Sequence, residues 1–211
     1  MGKLSNNILG PVSGRVGNVV GSSWRGIPYI KSVYSARTKN ISDKEKANRQ
    51  KFQASQRWLG YLVDFVREGY RGYTPTVQGF VAAKSYLMKH AMEWVNGQWR
   101  VNPALMKVSF GTLPNSENIT VHQTETGDLQ FSWNATGIQG GYSNDQVMLL
   151  AYDVTNERVT SKIAGALRST GTDTLSFTRK KGDTCHVWVA FVARDRSRQS
   201  ESIYLGEIEF V

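Results

Sequence analysis

Val187-Trp188-Val189-Ala190-Phe191-Val192 is the stretch that decides the fold. Successive side chains of a strand point to opposite faces. Val187, Val189 and Phe191 therefore share one face, and Trp188, Ala190 and Val192 share the other. A strand half-covered by water alternates apolar with polar residues. A run that is apolar on both sides belongs to a central strand or to a subunit contact. Upstream, Leu129, Phe131 and Trp133 do alternate with polar neighbours. Strands are predicted at 118–123, 129–135, 146–154, 158–163, 173–178, 185–194 and 202–210. Turn chemistry separates them: Thr126-Gly127-Asp128, Gly137 to Asn144, Gly171-Thr172 and Lys180 to Asp183. Short strands at such spacing predict an antiparallel β-sandwich over 117–211.

The texture before residue 117 is helical. Phe52, Leu59, Leu62, Val63, Val66 and Tyr70 recur at threes and fours, which predicts a helix over 42–69. Ser42 and Glu45 have capping-box spacing, and Gly69 stands where a C′ glycine belongs. The charged turns from Lys44 to Arg57 point to solvent or to a partner. A second helix is predicted over 76–95, with Val77, Phe80, Val81, Leu87, Met88, Ala91, Met92 and Val95 on its apolar face and Asn96-Gly97 as its stop. Together they form an αα-hairpin, 42–97. Residues 98–116, with Pro103, Gly111 and Pro114, read as a connector. The fold class is α+β.

The first 42 residues hold six Lys or Arg and no Asp or Glu. Within them, Asn18 to Trp24 and Ile27 to Val33 read as a β-ribbon joined at Arg25-Gly26. Pro28 cannot donate a ladder hydrogen bond, so its strand is expected at an edge there. A two-stranded ribbon is marginal alone and must dock on further strands. This basic, glycine-rich arm spans 1–41. The charge imbalance extends beyond it: residues 1–100 carry 16 basic and 5 acidic side chains, and residues 101–211 carry 10 and 12.

Several chemistries are not spelled out. Cys185 is the sole cysteine, which excludes an internal disulfide, and with three scattered His no metal site is expected. Gly-x-Ser-x-Gly, Gly-x-x-x-x-Gly-Lys-Ser/Thr and His-Glu-x-x-His do not occur. Neither a cofactor nor an enzymatic activity is expected. No signal peptide or membrane-length apolar run is visible, so a cytoplasmic or virion-associated location is expected.

Two resemblances add to this reading. Phe131-Ser132-Trp133, Leu150-Ala151-Tyr152-Asp153-Val154 and Val187 to Val192 resemble the B, C and F strands of fibronectin type III and related immunoglobulin-like sandwiches. The resemblance implies a C-terminal immunoglobulin-like domain, a kind that commonly serves as a spacer or binding module. The Gly14 to Ile30 block and Ser109-Phe110-Gly111-Thr112-Leu113-Pro114 resemble, as part of an end-to-end likeness, a bacterial family of unknown function.

The leading expectation is a structural protein that self-associates into a homo-oligomer through its N-terminal ribbon, as a virion, filament or surface component. Val19, Val20, Trp24, Ile27, Tyr29 and Ile30 are the candidate assembly residues. The alternative is nucleic-acid binding. Arg15, Arg25, Lys31, Arg37, Lys39, Lys44, Lys46, Arg49 and Lys51 would meet phosphates, with Trp24, Tyr29 or Tyr34 stacking on bases. A third reading is a carbohydrate or ligand module using Trp99, Tyr142 or Tyr204.

Overall fold

A computed structural model describes residues 2–3, 12–24, 26–36, 40–73, 78–136, 139–176 and 182–210. The chain divides into two units, Met1–Ser42 and Asp43–Val211. It is an α+β protein of helices and antiparallel sheets.

The N-terminal unit is one antiparallel sheet of β1 (Gly2–Lys3), β2 (Gly14–Val16), β3 (Val19–Trp24) and β4 (Ile27–Ser32), in the order β1-β4-β3-β2. The predicted ribbon is β3 and β4, and it docks on strands from its own chain. Gly26 makes its turn at φ 78°. β4 is not an edge strand along its whole length, and its described pairing with β1 covers Tyr29 and Ile30 but not Pro28. β1 flanks β4 at Tyr29 and Ile30, while Pro28 is opposite Ser23 of β3.

The C-terminal unit is built around a second sheet, in which β9 (Gln146–Asp153) and β12 (Thr184–Val192) lie between β10 (Arg158–Lys162) and β13 (Ile203–Glu209). Val147, Leu149, Ala151, Val187, Val189 and Phe191 point into one core. They meet Leu129, Phe131, Trp133 and Leu175 there. Those partners belong to or adjoin a three-stranded sheet of β7 (Thr120–Gln123), β8 (Leu129–Ser132) and β11 (Thr172–Leu175), in the order β11-β8-β7. On the opposite face, Met148, Leu150, Tyr152, Trp188, Ala190 and Val192 meet the helices. The two-sided apolar run is thus a central strand, covered within its own subunit. The ends of 173–178, at 177 and 178, lie outside the described residues.

The helical segment departs from the prediction in two places. The helix over 42–69 is two helices, α1 (Asp43–Gly60) and α2 (Val63–Gly69), separated by Tyr61 and Leu62. Leu59, Leu62, Phe65 and Val66 stay buried across the break, so apolar spacing cannot reveal it. Gly69 is not a C′ residue: it is the last residue of α2, with Tyr70 as the C-cap, and the glycine answers a close approach instead, since an added Cβ would stand 2.5 Å from the Val108 carbonyl oxygen. Residues 76 and 77 of the second predicted helix lie outside the described residues; among the rest, α3 (Gly79–His90) ends short of 95. After it the chain turns into a hairpin of β5 (Met92–Val95) and β6 (Gln98–Val101). Asn96-Gly97 is its two-residue turn, with φ 50° and 77°. Both residues are left-handed, as a twist-matched hairpin turn demands. Residues 98–101 therefore leave the connector and join the hairpin.

The rest of the connector seals the helices to the sheets. The Ser109 hydroxyl lies 3.0 Å from the Gly69 carbonyl oxygen and 2.7 Å from that of Ser200. Carbonyls of the same segment satisfy buried polar tips: Tyr70 Oη donates to Lys107 O at 2.6 Å and Trp188 Nε1 to Met106 O at 3.1 Å. Gly111 is pressed so closely on the Gln199 carbonyl that an added Cβ would overlap its oxygen. Deeper in the C-terminal unit, Arg168 is 1% exposed. Its guanidinium lies 3.3 Å from Asp145 Oδ2, donates to Ser116 Oγ and Pro114 O, and sits over the Phe191 ring.

Gly111→Ala is expected to cost about 1–3 kcal/mol, because backbone and not a movable side chain blocks the new methyl. A urea unfolding midpoint equal to that of the parent would contradict it. A second prediction concerns His186, which shares a hydrogen bond of 2.8 Å with Tyr204 Oη. Burial holds its imidazole below the ordinary range, against the pull of Glu207 and Asp153. The folded state therefore favours neutral His186, and its contribution to stability is lost as pH falls below the ordinary histidine range and through the depressed folded value. Melting temperatures from pH 7 to pH 5 should fall less steeply in His186→Gln.

Candidate functional site

The ladder register of the N-terminal sheet sorts its side chains, because residues directly opposite in an antiparallel pair point to one face. Val20 is opposite both Arg15 and Lys31, Ser22 is opposite Tyr29, and Trp24 is opposite Ile27. One face therefore carries Arg15, Val20, Trp24, Ile27, Tyr29 and Lys31. The other carries Val16, Val19, Pro28 and Ile30, with glycines at 14 and 21. The Val12 backbone lies over Gly21, which is buried, and a Cβ there would overlap the Val12 carbonyl oxygen.

The six candidate assembly residues fall on both sides of this sheet. Val20, Trp24, Ile27 and Tyr29 lie on the basic face, and Val19 and Ile30 on the opposite one. Trp24 is 60% exposed, and Val16, Val19, Ile27 and Tyr34 are exposed too. β2 forms one edge of the sheet, and all three of its residues are exposed.

The candidate polyanion residues are dispersed. Arg15 and Lys31 share the face of Trp24 and Tyr29, and Arg15 also donates to its own turn at Gly17 O, 3.2 Å. Arg25, Arg37 and Lys39 lie outside the described residues. Lys44, Lys46, Arg49 and Lys51 belong to α1, in the C-terminal unit. Two of these cations are matched within the helix: Lys46 with Asp43 at 3.0 Å and Arg49 with Glu45 at 2.8 Å. Lys51 Nζ stands 4.6 Å from the centre of the Trp99 ring. The acidic residues at i−3 and i−4, Asp43 and Glu45, are the sequence signal of that pairing.

The three aromatics of the ligand reading are also apart. Tyr142 is exposed, Tyr204 packs on Trp188 at 5.4 Å, and Trp99 packs on Trp94 at 5.3 Å in the β5–β6 hairpin. Among the described residues no group of three or more His, Cys, Asp or Glu is placed to hold a metal ion. Cys185 is buried and carries no disulfide. No helix among the described residues is long and apolar enough to cross a membrane.

The fold and these surfaces define a two-unit α+β protein with a basic sheet in its N-terminal unit. The profile of a protein family described as a family of unknown function, DUF6266, matches residues 11–206. The chain belongs to that family. No match was found among curated proteins or among solved structures.

The Gly21 contact generates a test specific to the N-terminal unit. Gly21→Ala should displace Val12 and accelerate amide hydrogen exchange across 14–32. Unfolding of the C-terminal unit should keep its parental denaturation midpoint. Unchanged exchange would show that the Val12 contact carries no stability.

Proposed function

We propose that the chain is a non-enzymatic structural protein whose N-terminal sheet joins it to a second copy. The observation that carries this reading is the exposure of large apolar side chains on a small separate sheet. Trp24, Ile27, Val16 and Val19 stay exposed there, and Gly21 is the buried residue of the β3–β4 ribbon. A sheet with so little interior gains stability when a neighbour covers it. The short exposed β2 edge offers backbone groups for the same purpose. Such a module suits a filament, a surface layer or a virion. The C-terminal unit then serves as the body, and we read its two sheets as an immunoglobulin-like sandwich of the fibronectin type III kind. The strand orders β11-β8-β7 and β10-β9-β12-β13 support that reading, as does Trp133 packed edge-on to Phe191 at 5.6 Å.

A second reading is favoured by one observation. Arg15 and Lys31 share a face with Trp24 and Tyr29, in a segment with no carboxylate to repel phosphates. Single-stranded nucleic acid takes such surfaces by phosphate pairing and base stacking.

Salt separates the two. Bringing two copies of a six-cation unit together is opposed by like charge, so screening strengthens self-association. Phosphate pairing weakens with salt, with a log–log slope of about −0.7 per phosphate neutralised on a single strand. Light scattering on the full chain should therefore show a species larger than 23.6 kDa that persists or grows as salt is raised. Trp24→Asp with Ile27→Asp should return it to the monomer mass. A monomer under all conditions ends the assembly reading, and an assembly that carries nucleic acid and dissolves in salt favours the second.

A further inference from the structure

We propose that a groove in the C-terminal unit, between α1, the β5–β6 hairpin and the β9–β10 turn, binds an oligosaccharide. The groove encloses about 790 Å³, within the range of small-ligand sites. Its walls combine aromatic and planar polar groups. Gln50, Gln53 and Arg57 line one side at helical spacing, Trp99 lines the other, and Trp58 and Tyr152 lie beneath.

The arrangement differs from an ordinary surface furrow in three ways. The first is a helix stripe made of amides and a guanidinium, with Ala54 among them. These groups hydrogen-bond a ligand without filling the space themselves. The second is the pair of indoles. Trp58 is 6% exposed, and the Nε1 atoms of Trp58 and Trp99 are both buried with no acceptor among the described residues. A buried indole N–H without an acceptor is uncommon, and two of them flank this groove. The third is Glu157. It holds a left-handed backbone, φ 54°, that costs a non-glycine residue energy. Its carboxylate is fixed by Tyr61 Oη at 2.5 Å and Arg57 Nε at 2.6 Å. Those hydrogen bonds, from Tyr61 first and then Arg57, keep it below the ordinary carboxylate range. A charged acceptor is thus pre-positioned at the groove margin.

These groups together select the ligand class. A lipid or apolar ligand would strip water from three glutamines, two arginines and a glutamate without replacing it. A phosphate would meet the Glu157 charge beside the Arg57 guanidinium. A pyranose presents a ring of hydroxyls to amide, guanidinium and carboxylate and an apolar C–H face to the half-buried Trp99, whose ring also carries Lys51 Nζ 4.6 Å from its centre, so both kinds of wall are matched. The groove lies wholly within the C-terminal unit, and this inference is independent of the assembly reading.

The test is titration calorimetry of the full-length protein with cellohexaose, maltohexaose and chitohexaose, accompanied by saturation-transfer NMR. At least one should bind more tightly than about 1 mM. Gln53→Ala replaces an exposed helical residue with the best helix former, so folding is preserved. It should weaken binding by roughly two- to tenfold through the lost hydrogen bond. Trp99→Phe should reduce the affinity and the saturation transfer to the ring protons. No binding by any of the three overturns the proposal. Binding that both variants leave unchanged places the sugar elsewhere and overturns it equally.

Discussion

The double-sided burial of β9 and β12 is the constraint on which the C-terminal unit depends. Both strands are closed to water along nearly their whole length, and each supplies alternate residues to two separate cores. Removing either cover would expose a row of Leu, Met, Trp or Phe, each worth roughly 1.5–3 kcal/mol when buried. Neither the helices nor the three-stranded sheet is an optional layer. The polar devices follow from the same demand. Trp188 and Tyr70 are large enough to fill the helix-side core, but their N–H and O–H need acceptors, and the segment after β6 passes close enough to supply carbonyls. Ser109 and Gly111 hold that segment in place, one by hydrogen bonds and the other by having no side chain.

The strand-rich half was legible in the sequence because its strands alternate or run apolar between clear turns. Predicted strand limits at 146–154 and 185–194 lie within two residues of β9 and β12. The helical half was less legible for a physical reason. Apolar spacing reports which side chains face the core, and a helix break that keeps Leu59, Leu62 and Phe65 inward leaves the spacing intact. The β5–β6 hairpin was missed because Met92 and Val95 continue the helical period of α3. Asn96-Gly97 between Trp94-Val95 and Gln98-Trp99 was the counter-signal. Asparagine and glycine suit a two-residue hairpin turn at least as well as a helix stop.

Residue types at the N-terminus pointed to an adhesive or anionic-partner surface, but composition could not assign faces. Strand register does. It puts Arg15 and Lys31 beside Trp24 and Tyr29, and moves Val19 and Ile30 to the other side. The groove beside α1 was illegible for a related reason. Gln50, Gln53, Trp99 and Glu157 come from distant parts of the chain, and no local pattern unites them.

The make-up of the N-terminal sheet has a consequence for its response to salt. Residues 1–42 contain six Lys or Arg and no Asp or Glu, so no carboxylate within the segment offsets their charge. Ionic strength, which acts on every one of its six cations, is the variable to which the unit itself responds.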